Sequence, residues 1–395
     1  MEMQPTTPVQ KWLEHIRQLS VEIGPRGSTT PGERRGAEYC QSVFDRLGLT
    51  SKLETFSSSV SGFDPHLLFA LCMLLSFIVY GFGGRIAAGI AVMIALIAFA
   101  GELLELALRD NFFRQVLPKG DSQNVFAEIP PHGEHRQDLV LIGHIDSQHT
   151  PLFFRTSTWV KVYQNYTTIA FALFILQIVL YLLGTIFQWN WIWLASIPSA
   201  VCALILGLFM YEGTRSPYTA GANDNASAVG MVLTLAEEIK AAPLEHTRVY
   251  AVCTGCEETT HNGAKTFFKN HRSEMMNPKG LVFELIGCSG PAWMIREGIV
   301  IPYHAGPGMV ALIEKLNAAH PEWQAYRTSV SGGNTEMADC IEADVPAITF
   351  MGITRDGVMP YWHQPGDTFD KMDFAIMEKT YAMTWAFINA LDQQT

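Results

Sequence analysis

Short apolar runs and amphipathic segments alternate along much of the chain. Each apolar run has the length of a buried strand, and most stop at a polar or acidic residue, whereas the amphipathic segments repeat their apolar positions at helical spacing. Strands that alternate with helices predict an α/β fold with a mixed, largely parallel sheet and helices on both faces. The predicted strands are Asp138–Gly143, Thr247–Cys253, Leu281–Phe283 and Val345–Phe350, with an edge strand at Thr50–Ser57.

Two pairs of longer, charge-free apolar segments interrupt this alternation. A helix needs about 20 apolar residues, with a usual lower end near 17, to cross a bilayer. The first pair, Leu67–Phe82 and Ile86–Gly101, is borderline, so buried core helices are an alternative for it. The second pair, Thr167–Phe187 and Trp191–Tyr211, is longer and has aromatic residues at its ends, like an interfacial belt. We therefore predict two inserted transmembrane α-helical hairpins with four spanning helices.

The hairpins decorate one folded domain and do not divide it. Both ends of each hairpin return to the same side, and the strand and helix pattern resumes after each one. The changes in composition give the boundaries. We predict a domain built from residues 1–64, 110–158 and 213–395, with hairpin 1 at 65–109 and hairpin 2 at 159–212.

The net charge and the cysteine content argue against several classes of function. A formal net charge of -11 without a basic cluster argues against nucleic acid as a partner. The seven cysteines are scattered and do not form a disulfide framework. Cys253 and Cys256 form a lone CxxC, for which we expect buried thiols and not a redox or zinc site.

The distribution of basic residues predicts the orientation in the membrane. Among the hairpin turns only Arg85 is basic, while six basic residues flank the hairpins on the domain side. The positive-inside tendency then places the domain in the cytoplasm, in agreement with the unpaired cysteines and a polar Met1–Gln10 without signal-peptide character. The domain-side residues are Arg109, Arg114, Lys119, Arg155, Lys161 and Arg215.

Histidines and carboxylates collect at the ends of the predicted strands. Carboxyl ends of parallel strands meet at one edge of a sheet, where such folds carry their sites. Any one of these residues is adequately explained as a turn or a satisfied polar group, but the complete set in one chain predicts a shared site. Its members are His144, Asp146, Asp224, Glu257, Glu258, Glu284, His363 and Asp367.

Three local expectations accompany this set. Asp146 lies two residues after His144 on the same strand face, so it can hydrogen-bond the ring of His144 and fix its tautomer. Asn225 and Ser227 are candidates to cap the helix that follows Asp224. Gly255 permits the chain to bend, which two neighbouring glutamates need if they are to share one site.

The order and context of these motifs resemble those of the zinc aminopeptidase family M28, with its co-catalytic metal pair. The matching residues are His144-x-Asp146, Gly-Ala-Asn-Asp224-Asn, Glu257-Glu258, Glu284 and His363-x-Pro-x-Asp367-Thr. The resemblance implies two Zn²⁺ ions, although other divalent metals remain open. Asp224 would bridge the ions, His144 and Glu284 would complete one, and Glu258 and His363 the other. Glu257 would be the general base and Asp146 the partner of His144.

Two positions depart from the family pattern. Glu284 stands where many relatives carry an aspartate, which is chemically equivalent but shorter. Trp362 stands where a tyrosine often precedes the last histidine and helps to stabilise the oxyanion, with Tyr361 one residue earlier. The oxyanion helper, and not the metal set, is therefore in question.

The resemblance implies a membrane-embedded aminopeptidase or related amide hydrolase that acts on peptide or amide bonds. Alternatives are glutaminyl cyclisation and a non-catalytic membrane receptor or scaffold on the same fold. The connectors of the second hairpin, Pro151–Trp159 and Glu212–Ala220, are each about nine residues and span at most about 30 Å. A site near the bilayer would take membrane-associated substrates, unless the hairpins are only an anchor. The oligomeric state is left open.

Overall fold

The computed structural model describes residues 7–394. The chain forms two compact units and passes between them several times, so each unit is built from segments that are separated in the sequence. The first unit contains the residues up to Val60, Lys119–Gln148 and the chain from Tyr218 onward. The second contains Ser61–Pro118 and His149–Pro217, and it holds all of the long apolar segments.

The first unit is organised around one sheet, in which nine strands are seen within the described residues. Their order is β1-β2-β4-β3-β5-β9-β6-β7, and β8 pairs with β6. The strands are β1 Ser51–Ser59, β2 Lys119–Ile129, β3 Gln137–His144, β4 Thr247–Thr254, β5 Lys279–Glu284, β6 Ala292–Glu297, β7 Tyr303–His304, β8 Tyr326–Ser329 and β9 Ala347–Met351.

The sheet is mixed, as predicted, with four parallel strands at its centre and one further parallel pair, β6 and β8, on its outer part. β4, β3, β5 and β9 are parallel neighbours. β1 and β2 continue antiparallel on one side, and β6 pairs antiparallel with β9 on the other. Because the four central strands run in one direction, their carboxyl ends share one edge. His144 lies opposite Thr254 there.

Helices occupy the connections between the strands. α2 begins after Thr30, whose hydroxyl accepts from the backbone N–H of Gly32, and α14 begins after Asp373, which caps it similarly. The helices are α1 Pro8–Arg17, α2 Pro31–Arg46, α3 Asp64–Gly81, α4 Gly84–Leu106, α5 Phe112–Val116, α6 Ser157–Phe187, α7 Ile192–Ala195, α8 Ile197–Gly213, α9 Ser227–Ala241, α10 Glu257–Thr260, α11 Asn262–His271, α12 Pro307–Ala319, α13 Met337–Glu342 and α14 Phe374–Asp392.

The core of the first unit lies between the central strands and the helices that cover them. Every residue of β3 is buried, as expected for a central parallel strand covered on both faces. α9 packs on β3 and is buried along most of its length. Trp12 from α1 is fully buried, and its indole N–H donates to the carbonyl of Ser227 at 2.7 Å. This contact fixes α1 against the start of α9.

The second unit is a bundle of apolar helices. Within the described residues, three are long and apolar enough to cross a membrane: α3 with 18 residues, α4 with 23 and α6 with 31. The fourth predicted span is shorter, because the chain breaks at Ser196 before Pro198 and leaves α7 and a 17-residue α8. In an 18-residue apolar window of each of these helices, 33% to 39% of the residues are buried, so most residues of these windows are at least partly exposed.

Candidate metal centre

Three strands and two loops deliver the predicted site residues to the carboxyl edge of the sheet. β3 ends at His144 and β5 at Glu284. Glu257 and Glu258 begin α10 just after β4. The loop before α9 carries Asp224, and the loop after β9 carries His363. The structure thus brings together all five residues that the sequence suggested as metal ligands.

Asp224 lies at the middle of this cluster. Its Oδ1 is 3.5 Å from Nε2 of His144, and its Oδ2 is 3.4 Å from Nε2 of His363. On one side, Nε2 of His144 is also 3.7 Å from Oε2 of Glu284. On the other side, Nε2 of His363 is 3.1 Å from Oε2 of Glu258. Asp224 therefore belongs to two ligand groups, each of which has ligand atoms within 4.8 Å of one another.

The charges of the cluster favour bound cations. Oδ2 of Asp224 and Oε1 of Glu258 are buried without a hydrogen-bond partner in the part of the chain that the structure describes. Burial, together with the carboxylates of Glu258 and Glu284, raises the pKa of Asp224 well above its usual value. Buried carboxylates that are crowded in this way need positive charge in order to ionise. Imidazole nitrogen with carboxylate oxygen is a donor set that suits zinc.

The two histidines differ in their electrostatic surroundings. Burial lowers the pKa of His363 to about 4, so its imidazole is neutral at pH 7, the form that binds metals. Burial acts in the same direction on His144, but the carboxylates of Glu257, Asp146 and Glu284 outweigh it and raise the pKa of His144 well above 6.5. Bound cations would counteract this effect, because they would compensate the same carboxylates.

Asp146 supports the site in a different way from the expected one. Nδ1 of His144 is 3.0 Å from the main-chain oxygen of Asp146, whereas the Asp146 carboxylate is 3.5 Å away. Because a carbonyl oxygen only accepts, Nδ1 carries the proton and Nε2 is free to face the cluster. The Asp146 carboxylate instead accepts from the N–H groups of Glu257 and Glu258 and from the hydroxyl of Ser28.

The loop that carries Asp224 is held by side chains from other segments. Asp367 accepts from the N–H groups of Asn223 at 2.7 Å and Asp224 at 2.9 Å. The amide of Asn225 donates to Oε2 of Glu284 at 2.9 Å and thereby links the loop to β5. Asp367 therefore orients the loop and lies behind the ligands.

The expected caps of α9 are wrong. The Asn225 side chain donates to Glu284 of β5, so it does not cap the helix. The hydroxyl of Ser227 donates to the carbonyl of Asn223 at 2.7 Å. Asn225 has φ -137 and ψ 38, so it precedes the helix without continuing it. The sequence pattern could not show this, because the partners of both side chains depend on tertiary contacts.

The chain bends at Gly255, as predicted, just before the glutamate pair. Cys256, two residues after the end of β4, then adopts the left-handed region with φ +54. Gly255 is needed for close approach, since a Cβ there would lie 2.4 Å from the hydroxyl of Ser122. Cys256 is a buried free thiol, as is Cys253, in agreement with the prediction for the CxxC pair.

Sequence reasoning missed two buried residues that hold the site. Glu33 accepts from the N–H of Cys256 at 2.9 Å and of Thr29 at 2.8 Å, although it looked like an ordinary residue of the first helical turn. Arg26 is fully buried and donates to main-chain carbonyls near both His144 and Asp224. A charged residue in a Gly/Pro-rich loop gives no signal of such a role before the fold is known.

Comparison with known proteins supports the fold and the family. Residues 207–388 match the model of peptidase family M28. The chain aligns over 98% of its length with a Fimbriiglobus ruber glutaminyl cyclase (15% identity, 97% of that chain, TM-score 0.57). It also aligns over 98% of its length with a Bacillus subtilis zinc aminopeptidase (13% identity, 95% of that chain, TM-score 0.57). The same share of the chain aligns with a Bacteroides thetaiotaomicron leucine aminopeptidase precursor (11% identity, 98% of that chain, TM-score 0.56). No curated protein sequence matches the chain. The predicted resemblance is confirmed by the family match, and the structural neighbours share the fold.

Proposed function

We propose, from the M28 match of residues 207–388, that the chain is a membrane-embedded metallopeptidase of the aminopeptidase type. The observation that carries the proposal is the position of Asp224, whose two carboxylate oxygens face two different histidines. One carboxylate between two separate ligand groups is the arrangement that a co-catalytic metal pair requires. Hydrolysis of peptide or amide bonds is the chemistry that such a pair supports.

The residues of the two ligand groups would hold two divalent cations, of which zinc fits best. Asp224 would be shared, His144 and Glu284 would hold one cation, and Glu258 and His363 the other. Bound there, the cations would lower the pKa of a water molecule and stabilise negative charge at a carbonyl oxygen. The side chains around them hold this geometry, since Asn225 orients Glu284 and Gln148 donates to Oε2 of Glu258 at 3.1 Å.

Glu257 has the position of a general base. Its Oε2 lies 3.7 Å from Nε2 of His144, so the carboxylate reaches the cluster from its edge. The two groups that share Asp224 do not include it, while a third group of close ligand atoms joins it to His144 and Glu258. Burial and the neighbouring Glu258 and Glu284 raise its pKa well above 4.5. A carboxylate with a raised pKa can accept a proton from water and donate it to the leaving amine.

Two substitutions distinguish the role of a general base from the role of a metal ligand. We expect Glu257→Gln to lower kcat by about 1000-fold, because the removal of a general base costs roughly 100- to 10,000-fold, while the bound zinc stays near the wild-type level. Asp224→Asn should lose activity and both ions, because it weakens both ligand groups. Zinc per chain and peptide hydrolysis measured on the same preparations give the answer. An active Glu257→Gln protein, or wild-type protein that binds no metal, would contradict the proposal.

Glutaminyl cyclisation is the second candidate, and one feature of the site favours it. The rings of Trp362 and His363 lie with their centroids 4.2 Å apart and their planes tilted by 32°, where a peptidase would be helped by a tyrosine hydroxyl. Glutaminyl cyclases also occur among the structures with this fold. Peptides with an N-terminal glutamine decide between the two activities: a cyclase releases ammonia, whereas a peptidase releases the first residue. A non-catalytic receptor or scaffold would do neither.

The proposal includes the membrane. We assign four spanning helices in two hairpins, with the peptidase domain in the cytoplasm. α8 covers about 26 Å at 1.5 Å per residue, so it needs α7 or local thinning of the bilayer to cross about 30 Å. Because Asp146 and Asp224 are each close in sequence to the second hairpin, we infer membrane-associated peptides or amides as substrates. Lipidated peptides should then have a higher kcat/KM than short soluble peptides in liposomes.

A further inference from the structure

His261 is a buried histidine that the proposed reaction has not used. It links α10 to α11 and adopts φ +56, a conformation uncommon for a residue with a side chain. Its exposed fraction is 5%. Residues with strained backbone are concentrated at functional sites, so the side chain of His261, close to Glu257, is a candidate for a functional role.

The ring of His261 joins two carboxylates. Its Nδ1 is 2.7 Å from Oδ2 of Asp339, a buried residue of α13. Its Nε2 is 3.2 Å from Oε1 of Glu257. Asp339 therefore fixes one edge of the ring, and the other edge faces the general base.

The two oxygens of Glu257 consequently face in different directions. Oε1 is next to His261, and Oε2 is next to His144 in the metal cluster. A glutamate side chain has three torsions, so a carboxylate without this contact can turn away from the cluster. Productive proton transfer needs a base that is held within hydrogen-bond reach of the reacting water.

We propose that His261, anchored by Asp339, is a positioning residue that holds Glu257 with Oε2 toward the metals. The inference rests on the proposed function, because it concerns the base of that reaction. His261 contacts the base and is itself held by an acidic group, which is the arrangement of an orienting pair behind a catalytic residue. Its two ring nitrogens face Asp339 and Glu257, neither of which is assigned as a metal ligand in the proposed function.

Removing the ring should affect turnover and little else. For His261→Leu, which retains the bulk but not the nitrogen atoms, we expect kcat to fall at least tenfold with unchanged KM and bound zinc. His261→Gln places an amide nitrogen near the position of Nε2 and should recover most of the loss. His132→Leu, at an exposed loop position, is the matched control and should behave like the wild type. Asp339→Asn should give a smaller loss of kcat than His261→Leu.

A double substitution and a structure distinguish positioning from general damage. In a Glu257→Gln background, His261→Leu should lower the residual rate no further. The crystal structure of the zinc-loaded His261→Leu protein should show Glu257 displaced from the cluster. Wild-type kcat in His261→Leu, loss of zinc from it, or an additive double variant would overturn the inference. Those results leave the peptidase proposal intact if Glu257→Gln alone is inactive, and an active Glu257→Gln protein would overturn both.

Discussion

Glu297 is a buried acid outside the metal centre, and its surroundings fix its protonation. The hydroxyl and the backbone N–H of Thr335 donate to its Oε2 at 2.8 and 3.0 Å. Its Oε1 is buried without a partner within residues 7–394. Burial raises the pKa of Glu297 to about 8, against 4.5 for an unperturbed glutamate, so the side chain is neutral in the folded protein at pH 7.

This protonation predicts a pH-dependent stability. Between pH 4.5 and 8 the folded state keeps a proton that the unfolded state loses, so the contribution of Glu297 to stability falls as the pH rises through this window. From pH 6 to pH 9 the loss would be about 3 kcal/mol. Glu297→Gln should remove this part of the slope when Tm is measured at both pH values. The exposed Glu14→Gln variant serves as the control, and equal slopes for all three proteins would contradict the pKa shift.

At the scale of residues, the sequence predicts functional residues where they belong to short, recognisable motifs. The wider set of histidines and carboxylates could be grouped because most lie at the ends of predicted strands, and the resemblance to family M28 then singled out His144, Asp224, Glu258, Glu284 and His363 as ligands. His261, Asp339, Glu33 and Arg26 could not be grouped. Their partners lie far away in sequence, so their roles appear only after tertiary packing is known.

At the scale of elements, Arg26 ties together three loops that meet beside the site. Its Nε donates to the carbonyl of Ile145 and its Nη2 to that of Gly221, both at 2.8 Å. Its Nη1 donates to the carbonyls of Leu19, Gly24 and Ala220. The guanidinium thereby joins the end of β3, the segment after α1 and the loop that carries Asp224.

Replacing Arg26 should loosen this junction and weaken the metal site together. Arg26→Met removes five hydrogen bonds and a buried positive charge, for which we expect a loss of about 3 kcal/mol and weaker zinc binding. Arg26→Lys keeps the charge but cannot reach five carbonyls, so it should be intermediate. Denaturant unfolding and zinc titration measure the two effects, with the exposed Arg34→Met as control. Unchanged zinc affinity in Arg26→Met would show that the junction does not support the site.

The elements themselves were predictable to different degrees. The central strands follow from apolar runs, because a strand covered on both faces is apolar throughout. β6, β7 and β8 were not predicted, since short strands on the outer part of a sheet carry weak patterns. The last apolar segment divides into α7 and α8 where Pro198 cannot supply a helical N–H to the preceding turn.

At the scale of the whole molecule, the charges that flank the apolar helices bear on orientation. Lys119, Arg155 and Lys161, which flank the apolar segments in the sequence, are exposed. Arg114 contributes less than the sequence suggested, because it is buried and paired with Glu105 at 2.9 Å. The exposed basic residues still outnumber the one at the hairpin turns, Arg85, so the positive-inside tendency keeps its direction.

Cysteine labelling of intact cells tests this orientation. Arg34 is an exposed residue of α2 in the first unit, and Arg85 is exposed in the first turn of α4. If the proposed orientation is right, an impermeant maleimide should label Arg85→Cys in intact cells, because the start of α4 would then lie outside. It should label Arg34→Cys only after the cells are permeabilised. The parental protein measures the background, since its cysteines are buried or partly buried.

Labelling of Arg34→Cys but not of Arg85→Cys in intact cells would reverse the orientation and place the peptidase domain outside. Labelling of neither variant before permeabilisation, and of both afterwards, would mean that the first apolar pair does not cross the membrane.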